Sequence, residues 1–342
     1  MSSEALISLV NLTKHFESKQ GLKNTLLRKK TIIRALDGVS FEIKKGEIFG
    51  VAGESGCGKT TLGRTIIRLA EPTAGSIFYG GRDITHLDKS SMRSLRPKIQ
   101  IVFQDPYESI NPRMSVFEVV AEGLGINRRV LGMKSQEQVR EAVKRSLELV
   151  QLTPPEQFMV RYPHELSGGQ RQRVAIARAL VLEPDFIIAD EPVSMLDASI
   201  RAEVLNVVTD LRDKLGLTFL FITHDLALSK HVTDRLGIMY LGKFAEIAPS
   251  EELTSKPLHP YTQALIAAIP VPDPDGKKVK VLAGGEVPSA IAIPSGCRFH
   301  PRCPFAKELC KTQEPELRQV EQEHYVACHY YQEAYDSFKT TV

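Results

Sequence analysis

No run of apolar residues in this chain approaches the ~18 needed to cross a bilayer as a helix. The N-terminus lacks the charged-then-apolar pattern of a secretory leader, so the protein is expected to stay in the cytosol. Charge of one sign is also missing: 44 basic and 41 acidic side chains leave a net +3 over 342 residues. So even a balance exerts no general pull on nucleic acid or anionic lipid. The one basic stretch, Lys23, Arg28, Lys29, Lys30 and Arg34, reads as a solvated loop. Neither an internal repeat nor a low-complexity tract is present, which argues against solenoids and tandem arrays. Cysteine is scarce, five in all, and none stands in the tight C-x-x-C pair that zinc usually asks for.

What is present begins with Gly53-Glu54-Ser55-Gly56-Cys57-Gly58-Lys59-Thr60, which fits G-x-x-x-x-G-K-[ST]. Glycines let backbone N–H groups turn inward around phosphate, Lys59 reaches the β- and γ-phosphates, and the Thr60 hydroxyl ligates magnesium. The nucleotide-binding set expected here is Gly53, Ser55, Gly56, Cys57, Gly58, Lys59, Thr60 and Thr61. Context supports it: Glu47 to Ala52 reads as a buried strand, and Thr60 to Leu69 as the helix whose N-terminus faces the phosphates. A second apolar strand, Phe186 to Ala189, ends in Asp190 and Glu191. Two adjacent carboxylates at a strand end can divide the work, Asp190 holding the magnesium shell while Glu191 polarises the attacking water. Together these features predict an ATPase.

A third motif, Leu166-Ser167-Gly168-Gly169-Gln170, opens a helix, with Ser167 as a natural N-cap and two glycines that allow close backbone approach. With these three in order, the chain resembles the ATP-binding subunits of ABC transporters over most of its length. The resemblance implies an α/β fold: a P-loop ABC-type nucleotide-binding domain with antiparallel β and helical subdomains, plus a small C-terminal cysteine-containing domain. The expected limits are 1–250, with the helical subdomain at about 105–175, and 251–342. In the family, Ser167, Gly168, Gly169 and Gln170 face the γ-phosphate held by the partner ATPase. Gln104, closing the strand Ile99 to Phe103, looks like the Q-loop glutamine that senses magnesium and the attacking water. His224, after Phe219 to Thr223, looks like the switch histidine that contacts the γ-phosphate. Asp197, in Ser194-Met195-Leu196-Asp197, resembles the D-loop aspartate, and Phe16 stands where the family stacks adenine.

Two further stretches are similar to the oligopeptide and dipeptide branch of that family. One is Asp105-Pro106-Tyr107-Glu108-Ser109-Ile110-Asn111-Pro112-Arg113-Met114, expected as an exposed, stiffened surface that receives the membrane subunit. The other is His259-Pro260-Tyr261-Thr262-Gln263-Ala264-Leu265 with Ala268-Ile269-Pro270, by composition a proline-started helix. After it come Cys297, Cys303, Cys310 and Cys328, spaced C-x5-C-x6-C-x17-C. Four clustered thiols in a cytosolic chain suggest a metal or cluster site before disulfides. An iron–sulfur cluster, zinc and unmetallated thiols all remain open; the resemblance implies a 4Fe-4S cluster. His300, His324 and His329 are expected as neighbours of that site or as surface residues, not ligands.

The resemblance further implies ATP and Mg2+ as ligands, a second related ATPase subunit, two transmembrane permease subunits and, through them, an extracytoplasmic solute-binding protein. The chain would then sit peripherally on the cytoplasmic face of the cell membrane and power import of oligopeptides, dipeptides or a related solute. The competing reading is a soluble ABC-type ATPase acting on nucleic acid or ribosomes. Such proteins usually join two ATPase units or insert long coiled-coil arms, and here one unit has only 106 residues between Thr60 and Ser167.

Overall fold

The computed structural model describes residues 4–18, 31–132, 135–269 and 288–341. The expectations for Lys23, Arg28, Lys29, Lys30 and Pro270 lie outside the described residues. In chain order the elements used below are strands β1 (Ala5–Ser18), β2 (Thr31–Lys44) and β3 (Ile48–Ala52), helix α1 (Lys59–Ile66), and strands β4 (Ala74–Tyr79), β5 (Arg82–Asp83) and β6 (Ile99–Val102). Helices α2 (Val116–Ile126), α3 (Gln136–Leu149) and α4 (Gly168–Leu180) follow, then β7 (Phe186–Asp190), α5 (Ala198–Leu215), β8 (Thr218–Ile222), β9 (Arg235–Tyr240) and β10 (Lys243–Pro249). The C-terminal part holds α6 (Ser250–Ser255), α7 (Pro260–Ala267), β11 (Arg318–Glu321), β12 (His324–Val326) and α8 (Tyr331–Thr341).

The chain divides into two compact units. The first contains Ile43–Ile48 and Gly80–Ile222. Its strands β6, β7 and β8 run parallel, with Val102 beside Ala189 and Asp190 beside Ile222. Every residue of β7 and β8 is buried, which is why they read as unbroken apolar runs. Three of its helices start with the same device, a serine that caps the backbone three residues on and receives a side chain in return. The pairs are Ser115 with Glu118, Ser135 with Gln138 and Ser167 with Gln170. Helices α2, α3 and α4 pack on one another. Val116, Val120, Val143, Leu147, Val174 and Ala177 form the core between them. Helix α5 packs on α4 and ends at Gly216, in the left-handed conformation that glycine adopts without strain.

The second unit comprises the described residues of Ile7–Glu42, Phe49–Tyr79 and Thr223–Val342. Strand β1 lies between β2 and β4, and its pairing with β4 is antiparallel. Strands β1 and β2 are 14 residues each. Their mixture of polar and apolar residues comes from alternating burial along a sheet wetted on one face. Strand β3 runs parallel to β9, and β9, β10, β12 and β11 continue as successive antiparallel neighbours. Two aromatic clusters fill this unit: Phe41, Phe49 and Phe244, and Tyr240, Tyr261 and Phe299. The described residues after 250 therefore belong to the same compact unit as the phosphate loop.

Candidate functional site

In the second unit, β3 delivers the chain into the glycine loop. Gly53 and Gly58 have φ of 149° and 112°, and a Cβ would stand 2.2 Å from the Met239 carbonyl oxygen at the first and 2.3 Å from that of Ala35 at the second. Both positions thus require glycine on conformation and on space. Lys59 is buried, and its ammonium donates to the carbonyl oxygens of Gly53 at 2.7 Å and Glu54 at 3.1 Å. Gly56 also has positive φ, at 78°. Ser55 and Gly56 are exposed, and Thr60 and Thr61 are half-buried at the start of α1. No side chain caps that helix, so its N-terminus is suited to phosphate. Cys57 is buried, and burial pushes its thiol up, so only its backbone can serve a nucleotide. The N–H of Thr223 donates to Val51 at 3.0 Å, tying the residue before the exposed His224 to β3. On β1, Phe16 is 40% exposed, with the Lys14 ammonium 4.8 Å from its ring centroid.

In the first unit, β7 ends in buried Asp190 and half-buried Glu191. Glu191 has φ 48°, a left-handed conformation that costs a non-glycine residue on the order of 1–3 kcal/mol. Its neighbours hold it there: its N–H donates to Ile222 at 2.9 Å, and the N–H and hydroxyl of Ser194 donate to its carbonyl oxygen. The Gln104 side-chain amide donates to the Glu191 carboxylate at 3.0 Å, bringing together two of the catalytic residues expected from the sequence. Helix α4 shows why it begins with glycines. A Cβ on Gly169 would stand 2.4 Å from Ile200 Cγ2, and one on Gly168 3.2 Å from Leu196 Cδ2, so α4 is seated against the turn and helix flanking Asp197. Ser167 and Asp197 are themselves exposed.

The four C-terminal cysteines, all free thiols, line one small cavity in the second unit together with Phe299 and Phe305. Burial pushes Cys297 up to about 11 and Cys303 and Cys328 up to about 12. Neutral thiols therefore prevail at these three unless a cation compensates the thiolates. His300 and His329 turn a ring nitrogen to backbone carbonyls, of Cys297 at 2.9 Å and Gln313 at 3.0 Å. His324 differs from its expected place: it is wholly buried, with Nε2 2.7 Å from Glu246 and Nδ1 3.0 Å from Glu252. The signal for it was an acid, Glu246, inside the otherwise apolar run Phe244-Ala245-Glu246-Ile247-Ala248.

A phosphate loop, an acidic strand end and a capped glycine helix define a P-loop ATPase of the ABC type. The family model for ABC transporters matches residues 36–194, and that for the oligopeptide/dipeptide transporter C-terminal region matches 245–310. A putative peptide import ATP-binding protein of Brucella ovis is 47% identical over 96% of this chain and 98% of its own. The oligopeptide transport ATP-binding protein AppF of Bacillus subtilis is likewise 47% identical over 96% and 98%. Among solved structures, the dimeric post-hydrolysis state of the ATP-binding cassette MJ0796 with ADP and phosphate superposes with a TM-score of 0.62 at 31% identity, covering 71% of this chain and 98% of that one. The chain belongs to the ABC transporter family, in the branch that carries the oligopeptide/dipeptide C-terminal region. Among the described residues no helix is long and apolar enough to cross a membrane.

Proposed function

We propose that this chain is the ATP-hydrolysing subunit of an importer for oligopeptides, dipeptides or a related solute. The observation that carries this reading is the 47% identity to peptide-import ATP-binding proteins along 98% of their length, C-terminal region included. The soluble ribosome- or nucleic-acid-directed reading has no comparable support. Lys59 and the loop amides bind the phosphates, and Phe16 stacks adenine. Thr60, Asp190 and Gln104 are suited to hold Mg2+, which neutralises charge on the transferred phosphoryl group. Glu191, bonded to Gln104, positions and deprotonates the attacking water, and His224 contacts the γ-phosphate. Ser167, Gly168, Gly169, Gln170 and Asp197 serve the nucleotide of a second, related ATPase chain in a head-to-tail pair. Exposure of Ser167 and Asp197 in this chain supports that arrangement, as does the dimeric state of MJ0796.

Two permease subunits then dock through the surface around Tyr107 and Arg113, both exposed, with the chain on the cytoplasmic face of the membrane and a solute-binding protein outside. We assign the nucleotide-binding domain to 1–250 and the cysteine-containing extension to 251–342. Cys297, Cys303, Cys310 and Cys328 suit a 4Fe-4S cluster, since four thiols, one buried and three half-buried, share one cavity and iron would lower their proton affinity. When bound, the cluster supplies a cross-link among the loops that bear the cysteines. The test is copurification on tagged Glu191→Gln protein with magnesium ATP, beside ATPase assays of wild type and the variant. Two polytopic membrane proteins and a second ATPase, with turnover lost in the variant, are expected. Recovery of ribosomes or nucleic acid without membrane proteins refutes the importer, and equal turnover refutes Glu191 as the base.

A further inference from the structure

The C-terminal region grips the phosphate loop at one residue, Glu54. The Glu54 carboxylate accepts two parallel bonds from Arg302, at 2.8 and 2.9 Å, and the Glu54 N–H donates to the Tyr261 hydroxyl at 2.9 Å. Both partners lie within residues 245–310, the stretch that distinguishes this branch. Tyr261 cannot drift, because its buried ring packs against Tyr240 and Phe299 with centroids 4.6 and 5.3 Å apart. Arg302 is likewise constrained: its side chain is only 10% exposed and its guanidinium lies 5.7 Å from the Phe299 ring centroid. Glu54 in turn matters to the chemistry, since its own carbonyl and that of Gly53 hold the Lys59 ammonium.

A second arginine of the same loop behaves alike. Arg298 pairs with Asp37, and Asp37 accepts from or faces His15 Nε2 at 3.3 Å on β1, one residue before Phe16. The segment from Cys297 to Cys303 thus contributes two guanidiniums, one to Glu54 of the glycine loop and one to Asp37 of β2. Arg302 has the more direct consequence. A carboxylate in a phosphate cradle repels nucleotide phosphates unless a cation neutralises it, and a bidentate guanidinium both neutralises it and fixes where it points.

We propose that Arg302 is a positioning residue for nucleotide binding: it neutralises and orients Glu54, and through Glu54 it sets the loop carbonyls that aim Lys59. The inference rests on the reading of residues 53–60 as the ATP phosphate loop. In the full-length chain, the affinity for a fluorescent mant-ATP with magnesium, KM and kcat for ATP, and the thermal midpoint are measured for wild type, Arg302→Lys, Arg302→Gln and Glu54→Gln/Arg302→Gln. Arg302→Gln leaves the Glu54 charge uncompensated and is expected to weaken nucleotide binding about tenfold, raising KM far more than it lowers kcat. Arg302→Lys keeps the charge without the fork and recovers part of the affinity. The double variant removes both charges and returns affinity to within about threefold of wild type. Wild-type affinity in Arg302→Gln overturns the proposal. So does a double variant as weak as the single, because the loss would then owe nothing to the uncompensated Glu54 charge. Lys59→Ala separates the underlying reading: if it binds nucleotide as wild type does, residues 53–60 are not the phosphate site and that reading fails instead.

Discussion

Replacing His324 should destabilise the second unit more than any exposed substitution near it. The ring and the Glu246 carboxylate are both without exposed surface and 2.7 Å apart, joining β12 to the middle of β10. Glu246 also accepts from the N–H groups of Leu258 at 2.7 Å and His259 at 3.0 Å, so one carboxylate organises three segments. On its other side the ring meets Glu252 of α6, beside the paired Lys256 and Glu321. Burial pulls the imidazole pKa down, but Glu246 and then Glu252 outweigh it and hold the ring above the ordinary histidine value. With both nitrogens facing carboxylates, the protonated form donates twice. His324→Ala leaves a buried carboxylate served by backbone donors alone, a change that costs about 3–5 kcal/mol when a buried pair is broken. His324→Gln, which can still donate to Glu246, should cost less. Because the folded pKa is raised, the stability the ring adds is fully present below its unfolded value of 6.5 and is lost as pH rises through the higher folded value. The assay is urea denaturation of wild type and both variants by circular dichroism at several pH values. Subtracting the glutamine variant removes the contribution of other titrating groups. A loss under about 1 kcal/mol in His324→Ala, or a wild-type advantage over His324→Gln that grows with rising pH, refutes this account.

Two other outcomes follow from packing and thiol chemistry. Gly169→Ala drives a methyl to 2.4 Å from Ile200 Cγ2 and should cost about 1–3 kcal/mol while displacing the start of α4. Adding Ile200→Ala should restore stability in the same denaturation assay, and failure to do so would place the strain elsewhere. Protein purified anaerobically should carry iron and acid-labile sulfide, and Cys303→Ser should lose both; zinc without iron excludes the cluster.

The phosphate loop, the Asp190-Glu191 strand end and the helix at Ser167 were legible in the sequence because each is local. A cradle needs its glycines and lysine within eight positions, and fully buried parallel strands announce themselves as apolar runs. Helix α3 follows the same kind of rule: Val139, Val143, Leu147 and, just past its end, Val150 recur at helical spacing, Val139 half-buried and the other three buried. What stayed hidden depends on residues far apart in the chain. Arg302 lies 248 positions from Glu54 and His324 78 from Glu246, so no window of sequence contains either pair. Yet the hidden pairs are not equally silent. An arginine between two cysteines is as compatible with solvent as with a partner, whereas an acid at the centre of an apolar strand is not, since burying it unpaired costs several kcal/mol. An acid such as Glu246 in that setting calls for a cation or a set of N–H donors, and the fold supplies both, His324 and the N–H groups of Leu258 and His259. The left-handed backbone of Glu191 is the converse case. Nothing in the residue types foretells it, and it becomes visible only where Ile222 and Ser194 hold the carboxylate-bearing residue at the end of β7. The tertiary structure thus sets the geometry of this acidic residue, which also bonds Gln104, in advance of any reaction, as the base role proposed for Glu191 would require.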